Sequence, residues 1–227
     1  MTHAEDQESP WALQLAVRVE KLTPPTTLAV CRATVLATIS LLDDERTRPG
    51  GEWHEAIASW SEVRIRKIVR RGRASAWERA QDVPGVTVEH DGAEVRAFVP
   101  SRMADAPRDV AKLQIQSTPL DEVDLLDELP TIEPGAMVVA VTPAVEMSWG
   151  KMAAQCAHAG QLLWWAADDD RRSDWTDADR PILVVPARES LWSQLVEASE
   201  VQVRDAGFTE IPAGTNTTVA WWAQITP

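Results

Sequence analysis

The sequence is poor in several residue types, and each shortage excludes a class of protein. It contains no tyrosine, so every mechanism that needs a phenolic hydroxyl group is excluded. Two cysteines, Cys31 and Cys156, are too few for a disulfide scaffold or a four-thiolate zinc site. No apolar run approaches the roughly 20 residues of a transmembrane helix. The polar, acidic first ten residues argue against a signal peptide.

What remains is the composition of a folded, globular protein. The chain has 227 residues, of which 44% are hydrophobic and 25% are charged, so extensive disorder is excluded. This length suits one large domain or two of ordinary size. We therefore expect a cytoplasmic protein that makes no contact with membranes.

Negative charge is concentrated in the middle and the second half of the chain. The net charge is -13, yet residues 1–115 carry 16 basic and 17 acidic side chains. Residues 116–134 carry 6 acidic side chains and no basic ones, together with three prolines. Like charges and prolines are typical of linkers. We predict domains at residues 1–116 and 135–227, joined by a linker at 117–134.

The two predicted domains show the same order of sequence features. Each opens with a buried strand, at residues 12–19 and 136–143, followed by an Ala-rich helix. Cys31 and Cys156 occupy matching positions in these helices, at an offset of 125. Next come a Trp-bearing polar loop, a strand at 62–69 or 181–186, a helix with Trp77 or Trp192, and two more strands. The halves close on Val110-Ala111 and Val219-Ala220, and we interpret them as diverged copies of one domain.

Strands and helices alternate in both halves, which predicts an α/β fold in each. The acidic tract at residues 166–180 is predicted to be a solvated loop. Residues His90 to Ala93 lie between two alternating apolar runs and predict a hairpin turn.

Three polar side chains form a row on the helix predicted at residues 150–165. Lys151, Gln155 and His158 are spaced i, i+4 and i+7, which places them within about 60° of one another around the helix. Met152, Cys156, Ala159 and Leu163 form the neighbouring apolar stripe. Taken alone, the polar row is more typical of a solvated helix face than of a site.

A second group of polar residues follows a predicted strand near the end of the chain. Asp205 comes directly before the loop that contains Gly207 and Gly214. Sites in open α/β sheets are often built from loops at strand ends. An ordinary turn with Asp205 as its first residue would give the same pattern.

Together the two segments carry a resemblance that neither carries alone. Gly-Lys-Met-Ala-Ala-Gln-Cys-Ala-His-Ala at 150–159, followed by Arg-Asp-Ala-Gly-Phe-Thr-Glu-Ile-Pro-Ala-Gly-Thr at 204–215, closely resembles the peptidyl-tRNA hydrolase family of the archaeal and eukaryotic type. Residues 136–227 cover nearly the whole domain of that family. The resemblance implies a three-layer α/β/α fold around a small mixed sheet. With the repeat, this predicts two tandem domains of that architecture.

The resemblance also implies an activity, a substrate and a set of site residues. The reaction would be hydrolysis of the ester bond between a peptide and the 3′ ribose of tRNA, with no metal and no cofactor. The site residues carried over are Lys151, Gln155, His158, Asp205 and Thr209. Asp205 is suited to act as general base on a water molecule and Lys151 to stabilise an oxyanion or hold a phosphate. Gln155 and Thr209 would position the water or the ester, whereas His158 could equally be a packed structural residue.

Two positions depart from the family pattern beside the presumed site. Phe208 stands where the family has arginine, and Glu210 where it has glutamine. Both changes, with the acidity of this half, weaken the electrostatic attraction to tRNA. Phe208 could bind substrate by stacking on the terminal adenine, or it could be a plain hydrophobic replacement.

The first half keeps the order of elements but not the site. Thr26, Val30 and Ala33 stand at the positions of Lys151, Gln155 and His158, so this copy is predicted to be inactive. Its basic run is the remaining candidate for substrate binding, with Arg64, Arg66 and Arg70 predicted on one strand face beside Arg71. The same charges could instead protect an edge strand.

Three functions stay open at this point. The first is a peptidyl-tRNA hydrolase in which the inactive copy partners the active one as an intramolecular pseudo-dimer, with further oligomerisation possible. The second is a catalytically impaired descendant that binds tRNA or a protein. The third is an oligomerisation or regulatory module without a role in RNA chemistry.

Overall fold

Two mixed β-sheets, one in each half of the chain, organise the computed structural model, which describes residues 9–115, 119–207 and 211–224. Helices flank both sheets, so the predicted α/β architecture in two parts is confirmed. No helix in these described ranges is long and apolar enough to span a membrane.

The first half contains five strands and four α-helices in its described part. They are β1 (Trp11–Arg18), α1 (Thr27–Asp43), α2 (His54–Ser61), β2 (Lys67–Gly72), α3 (Ala74–Ala80), β3 (Gly85–His90), β4 (Ala93–Phe98), β5 (Ser101–Arg102) and α4 (Arg108–Ala111).

The second half repeats this sequence of elements without β5 and α4, again in its described part. Its elements are β6 (Met137–Val141), α5 (Trp149–Ala166), α6 (Asp169–Asp177), β7 (Ile182–Pro186), α7 (Glu189–Ala198), β8 (Val201–Arg204) and β9 (Asn216–Trp222).

The two sheets have the same strand order and the same strand directions. The first has the order β2-β1-β4-β3 and the second β7-β6-β9-β8. In each, the first strand of the half pairs parallel with one neighbour and antiparallel with the other. The opening strands of both halves are buried on both faces, which explains why they read as continuous apolar runs.

Two buried tryptophans occupy the same place in the two halves. Trp60 donates its indole N–H to the carbonyl of Arg66 at 3.0 Å, and Trp175 donates to the carbonyl of Pro181 at 2.8 Å. Each acceptor is six residues further on and directly precedes an edge strand, β2 or β7. Such equivalence in hydrogen bonding is more specific than shared composition, because it requires the same local backbone path.

The helices α1 and α5 lie between the two sheets and pack against each other. Small residues allow the close approach: a Cβ atom added to Gly160 of α5 would collide with Cγ1 of Val35 on α1. Cys31 and Cys156, both fully buried, lie at this contact, and the Cys31 thiol together with burial raises the pKa of Cys156. One continuous core cluster therefore contains residues of both halves.

Helices on the outer faces complete the layers. In the first half, Trp77 of α3 and Val110 of α4 pack with Ala16 and Phe98 on the outer face of the sheet. In the second half, Leu191 and Trp192 of α7 cover the outer face in the same way.

Several predicted elements need correction. The strand predicted at 62–69 is β2, which begins only at Lys67. The tract at 166–180 is not a loop, because α6 begins after the N-cap Asp168 and buries Trp175. Val110-Ala111 lies in the short helix α4, so it is not the counterpart of Val219-Ala220 in β9. The hairpin at His90 to Ala93 is confirmed, with Asp91 and Gly92 both at positive φ.

The described part of the connection, residues 119–134, forms no helix or multi-residue strand but is anchored to both halves. Leu126 pairs with Ala187 as an isolated bridge and donates its N–H to Pro186 O at 2.8 Å. Asp121 accepts hydrogen bonds from the backbone N–H and the hydroxyl of Thr27, at 2.7 and 2.6 Å. The boundaries at 117 and 134 stay predictions.

Candidate functional site

The first turn of α5 presents one wall of the candidate site. Ser148 caps this helix, because its side chain accepts a hydrogen bond from the backbone N–H of Lys151 at 3.3 Å. Helix geometry then places Gln155 one turn above Lys151 on the same face. The spacing read from the sequence is therefore realised on a regular helix.

The loop after β8 forms the opposite wall and holds Asp205 rigidly. The backbone of Asp205 is bonded in both directions, donating to Thr215 O at 2.9 Å and accepting from Gly214 N at 2.7 Å. Its Oδ1 accepts from the N–H of Gly207 at 2.8 Å. Gly207 has φ +79°, and a Cβ atom there would lie 2.7 Å from Cβ of Ala213, so the loop needs glycine at this position.

Lys151, Gln155 and Asp205 converge on a single oxygen atom. Asp205 Oδ2 lies 2.5 Å from Lys151 Nζ and accepts from Gln155 Nε2 at 2.7 Å. The side chains of Lys151 and Asp205 are only 15% and 6% exposed. All the groups facing this carboxylate are donors, which is what an ionised carboxylate requires, and its partial burial strengthens each contact.

A threonine that sequence analysis did not identify sets the orientation of Gln155. Thr217 is fully buried on β9, and its hydroxyl lies 2.7 Å from Gln155 Oε1 and 3.2 Å from Val203 O. Because the hydroxyl has one proton, the shorter contact identifies Gln155 Oε1 as the preferred acceptor. The amide of Gln155 is thereby held with its N–H₂ towards Asp205. A polar pair, Thr217-Thr218, inside an otherwise buried strand was the available signal.

His158 contacts the first half of the chain and not Asp205. Its Nδ1 lies 3.3 Å from Nζ of Lys67, which also donates to Gln161 Oε1. Burial, followed by the charges of Lys67 and Lys151, holds the pKa of His158 well below 6.5. The second interpretation offered by the sequence, a packed and hydrogen-bonded histidine, describes this geometry.

The basic run divides into buried and surface residues. Arg70 is 5% exposed, and its guanidinium donates to Gln14 Oε1, Ala111 O and Leu113 O, so it serves the packing of the first half. Arg64 and Arg66 precede β2 and do not share a strand face with Arg70 as predicted. Arg71 donates to Gln114 Oε1 at 2.5 Å at the surface. Substrate binding by Arg64, Arg66 and Arg71 stays a prediction.

Phe208, Thr209 and Glu210 lie outside the described residues. Their predicted roles are therefore unchanged. In the described part of the chain, no group of three or more His, Cys, Asp and Glu side chains could hold a metal ion.

In the part of the first half that the structure describes, no loop corresponds to the one that carries Asp205. The strands that correspond to β8 and β9 are β3 and β4, and only the turn at Asp91 and Gly92 joins them. At the start of α1, where the second half has Lys151, the carboxylate of Asp121 occupies the helix end. Both differences agree with the substitutions at Thr26, Val30 and Ala33.

Comparison with protein families supports the relationship that the two motifs indicated. Residues 136–223 match the family model described as peptidyl-tRNA hydrolase PTH2. The match contains Lys151, Gln155 and Asp205 and every strand of the second sheet. Residues 136–223 of the chain are therefore similar to the peptidyl-tRNA hydrolase PTH2 family.

Proposed function

We propose that the protein hydrolyses the ester bond between peptide and tRNA in peptidyl-tRNA, using the cluster of Lys151, Gln155 and Asp205. The observation that carries the proposal is the convergence of Lys151 Nζ and Gln155 Nε2 on Asp205 Oδ2. Lys151 and Gln155 lie 54 and 50 positions before Asp205 in the sequence, and the family match contains all three residues.

Asp205 is the general base of the proposed reaction. Lys151 and Gln155 hold Oδ2, and the N–H of Gly207 fixes the plane of the carboxylate through Oδ1. A positioned base of this kind accelerates hydrolysis by about 10²–10⁴-fold. Asp205 takes one proton from water as the water oxygen attacks the ester carbonyl carbon. The tetrahedral intermediate then expels the ribose oxygen, which recovers that proton.

Lys151 stabilises the negative charge that develops on the carbonyl oxygen. Its ammonium group is mostly shielded from water, so its electrostatic effect on a nearby oxyanion is larger than in bulk solvent. The side chain also lies in the first turn of α5, where the backbone N–H groups add a partial positive charge. The proposed mechanism requires no metal ion.

We further propose that the two halves are diverged copies that pack as an intramolecular pseudo-dimer. Identical strand order, the equivalent bonds of Trp60 and Trp175, and contact between Cys31 and Cys156 support this. Asp121 at the start of α1 and the short turn at Asp91 support a single active site, in the second half.

The experiment is release of the labelled acyl group from an N-blocked aminoacyl-tRNA by the purified full chain. We expect release well above the buffer rate. Lys151→Met keeps the length of the side chain and removes its charge, so we expect a loss of about 10²-fold or more. Lys112→Met is the matched control, because Lys112 is exposed and directly follows α4. This variant should leave the rate unchanged.

Two results would reject parts of this proposal separately. No release above buffer by the wild-type chain removes the hydrolase function and favours the binding descendant. Release that Lys151→Met leaves intact removes the site assignment but not the activity.

A further inference from the structure

The side chain of Lys67 lies buried between the two halves of the chain. Lys67 is the first residue of the edge strand β2, and it is 8% exposed. No carboxylate of the described residues forms an ion pair with it, so its charge is not compensated in the usual way. Burial accordingly lowers the pKa of Lys67 well below 10.5.

Two oxygen acceptors and one imidazole nitrogen surround the amino group of Lys67. Its Nζ donates to Gln161 Oε1, lies 3.5 Å from Ile65 O and lies 3.3 Å from His158 Nδ1. The ring of Trp60 adds a cation–π contact at 5.2 Å. In its protonated form Lys67 has three N–H donors and no acceptor, so its contact with His158 is then a hydrogen bond only if Nδ1 accepts.

This geometry determines the protonation of His158. A neutral imidazole has one donor and one acceptor nitrogen, so an accepting Nδ1 leaves the proton on Nε2. A second proton on Nδ1 would break the bond and place two cations within 3.3 Å. We propose that Lys67 of the first half is a positioning residue that keeps His158 neutral, with its proton on Nε2.

The other charged groups near His158 act in the same direction, are engaged by other residues or, in the case of Arg204, are exposed. Lys151 of α5 itself also disfavours a charge on the imidazole. The strands β6 and β9, which pack on α5, contain no titratable side chain. Among the remaining titratable groups on elements packed against α5, Cys31 contacts Cys156, Arg32 pairs with Asp91 and Asp43 pairs with Arg180. Arg70 and Arg71 donate to glutamine side chains, and Asp205 pairs with Lys151. Arg204 is exposed.

The consequence concerns the helix that carries the candidate site. His158 lies less than one turn from Gln155, and Gln161 lies less than one turn beyond His158 on α5. Lys67 therefore links the first half to α5 and keeps positive charge off the imidazole beside Gln155. The half without the candidate site would thus control the protonation of a side chain in the other half. This inference concerns protonation alone and holds whether or not the chain hydrolyses peptidyl-tRNA.

Nuclear magnetic resonance of the imidazole nitrogens tests it without substrate. The full chain is titrated from pH 8 to pH 5, and the His158 signals are assigned by their loss in His158→Gln. We expect the Nε2–H tautomer and no protonation midpoint near 6.5. In Lys67→Met the midpoint should rise by about one pH unit or more, because a neighbouring cation is removed. It should stay below 6.5, because burial remains the larger cause.

Lys112→Met again serves as the control and should reproduce the wild-type titration. An Nδ1–H tautomer, a wild-type midpoint near 6.5, or an unchanged midpoint in Lys67→Met would each overturn the inference. If Lys67→Met does not fold, the tautomer and titration of the wild-type chain decide the question alone.

Discussion

Gln155 can hold Asp205 only with its side-chain amide the right way round, because an amide has a donor end and an acceptor end. The hydroxyl of Thr217 fixes that choice by binding Oε1 at 2.7 Å. We expect Thr217→Val to lower kcat about tenfold to a hundredfold, because Gln155 is then free to rotate away from Asp205. Steady-state hydrolysis of the N-blocked aminoacyl-tRNA measures this.

Thr218→Val provides a closely matched control for that substitution. Thr218 is equally buried, and its hydroxyl lies 3.1 Å from the backbone oxygen of Gln155. Thr218→Val therefore removes a bond to the backbone of Gln155 and leaves the hydrogen bonds of its side-chain amide intact. Both variants should lose about 1–3 kcal/mol of stability, because each leaves a buried acceptor without its donor. Equal loss of kcat in the two variants would mean that Thr217 acts through stability alone.

His158 gives the protein a predictable response to acid. Its pKa in the folded state is lowered from 6.5, so below pH 6.5 the unfolded chain binds a proton that the folded chain does not. Above pH 6.5 His158 contributes no pH dependence, and as the pH falls below 6.5 the free energy of unfolding decreases by up to about 1.4 kcal/mol per pH unit. We expect His158→Gln to reduce the fall in stability between pH 7 and pH 5, measured by urea unfolding. A fall identical to that of the wild type would contradict the lowered pKa.

The sequence identified the residues of the site that lie in recognisable motifs. Lys151, Gln155 and Asp205 were all predicted, because motif order and helical spacing identify them. Lys67 and Thr217 were not, since each contacts α5 from a distant part of the chain. Lys67 lies within the basic run that begins at Arg64, and nothing in a run of charges indicates which of its members are buried.

The contact between α1 and α5 is the structural element on which the shared core depends. Val35 fills the space above Gly160, and its branched side chain has little freedom to move in a helix. We expect Gly160→Ala to destabilise the protein by about 1–3 kcal/mol through overpacking, despite the better helix propensity of alanine. Urea unfolding of the full chain measures the change.

Combining Gly160→Ala with Val35→Ala tests whether this contact is the cause. Removing the methyl groups of Val35 makes room for the new Cβ, so the double variant should be more stable than the sum of the two single changes. Additive losses would show that Gly160 is required for another reason.

Long apolar elements were predicted well and polar ones poorly. β1, β6 and α5 were predicted within a few residues, because buried runs and Ala-rich stretches give strong local signals. The helix α6 was missed, because its sequence is mostly Asp and Arg and it buries a single large side chain, Trp175. The first residues of the predicted strand at 62–69 were misassigned because alternating basic residues imitate a strand.

The net charge of -13 on the whole molecule opposes binding of RNA. Residues 1–115 are the exception, because their 16 basic and 17 acidic side chains nearly balance. We expect the triple change of Arg64, Arg66 and Arg71 to Ala to weaken tRNA binding. Each phosphate contact removed should also make the dependence of log K on log salt shallower by about 0.7–0.9. Gel shifts at several salt concentrations measure both quantities.

Three exposed arginines elsewhere in the same half, Arg48, Arg79 and Arg108, provide the control with equal loss of charge. If that control weakens binding as much as the first triple change, only net charge matters. Tight binding that neither change affects would place the tRNA contact outside the first half.

The single-turnover rate of Asp205→Asn with N-blocked aminoacyl-tRNA tests most directly whether Asp205 is the general base. The amide keeps the shape of the carboxylate but cannot act as the base, so we predict a loss of about 10²-fold or more relative to wild type. Asp127→Asn, which changes an exposed ion pair with Arg188, should react at the wild-type rate. A folded Asp205→Asn protein that releases the acyl group as fast as wild type would contradict the assignment of Asp205 as the base.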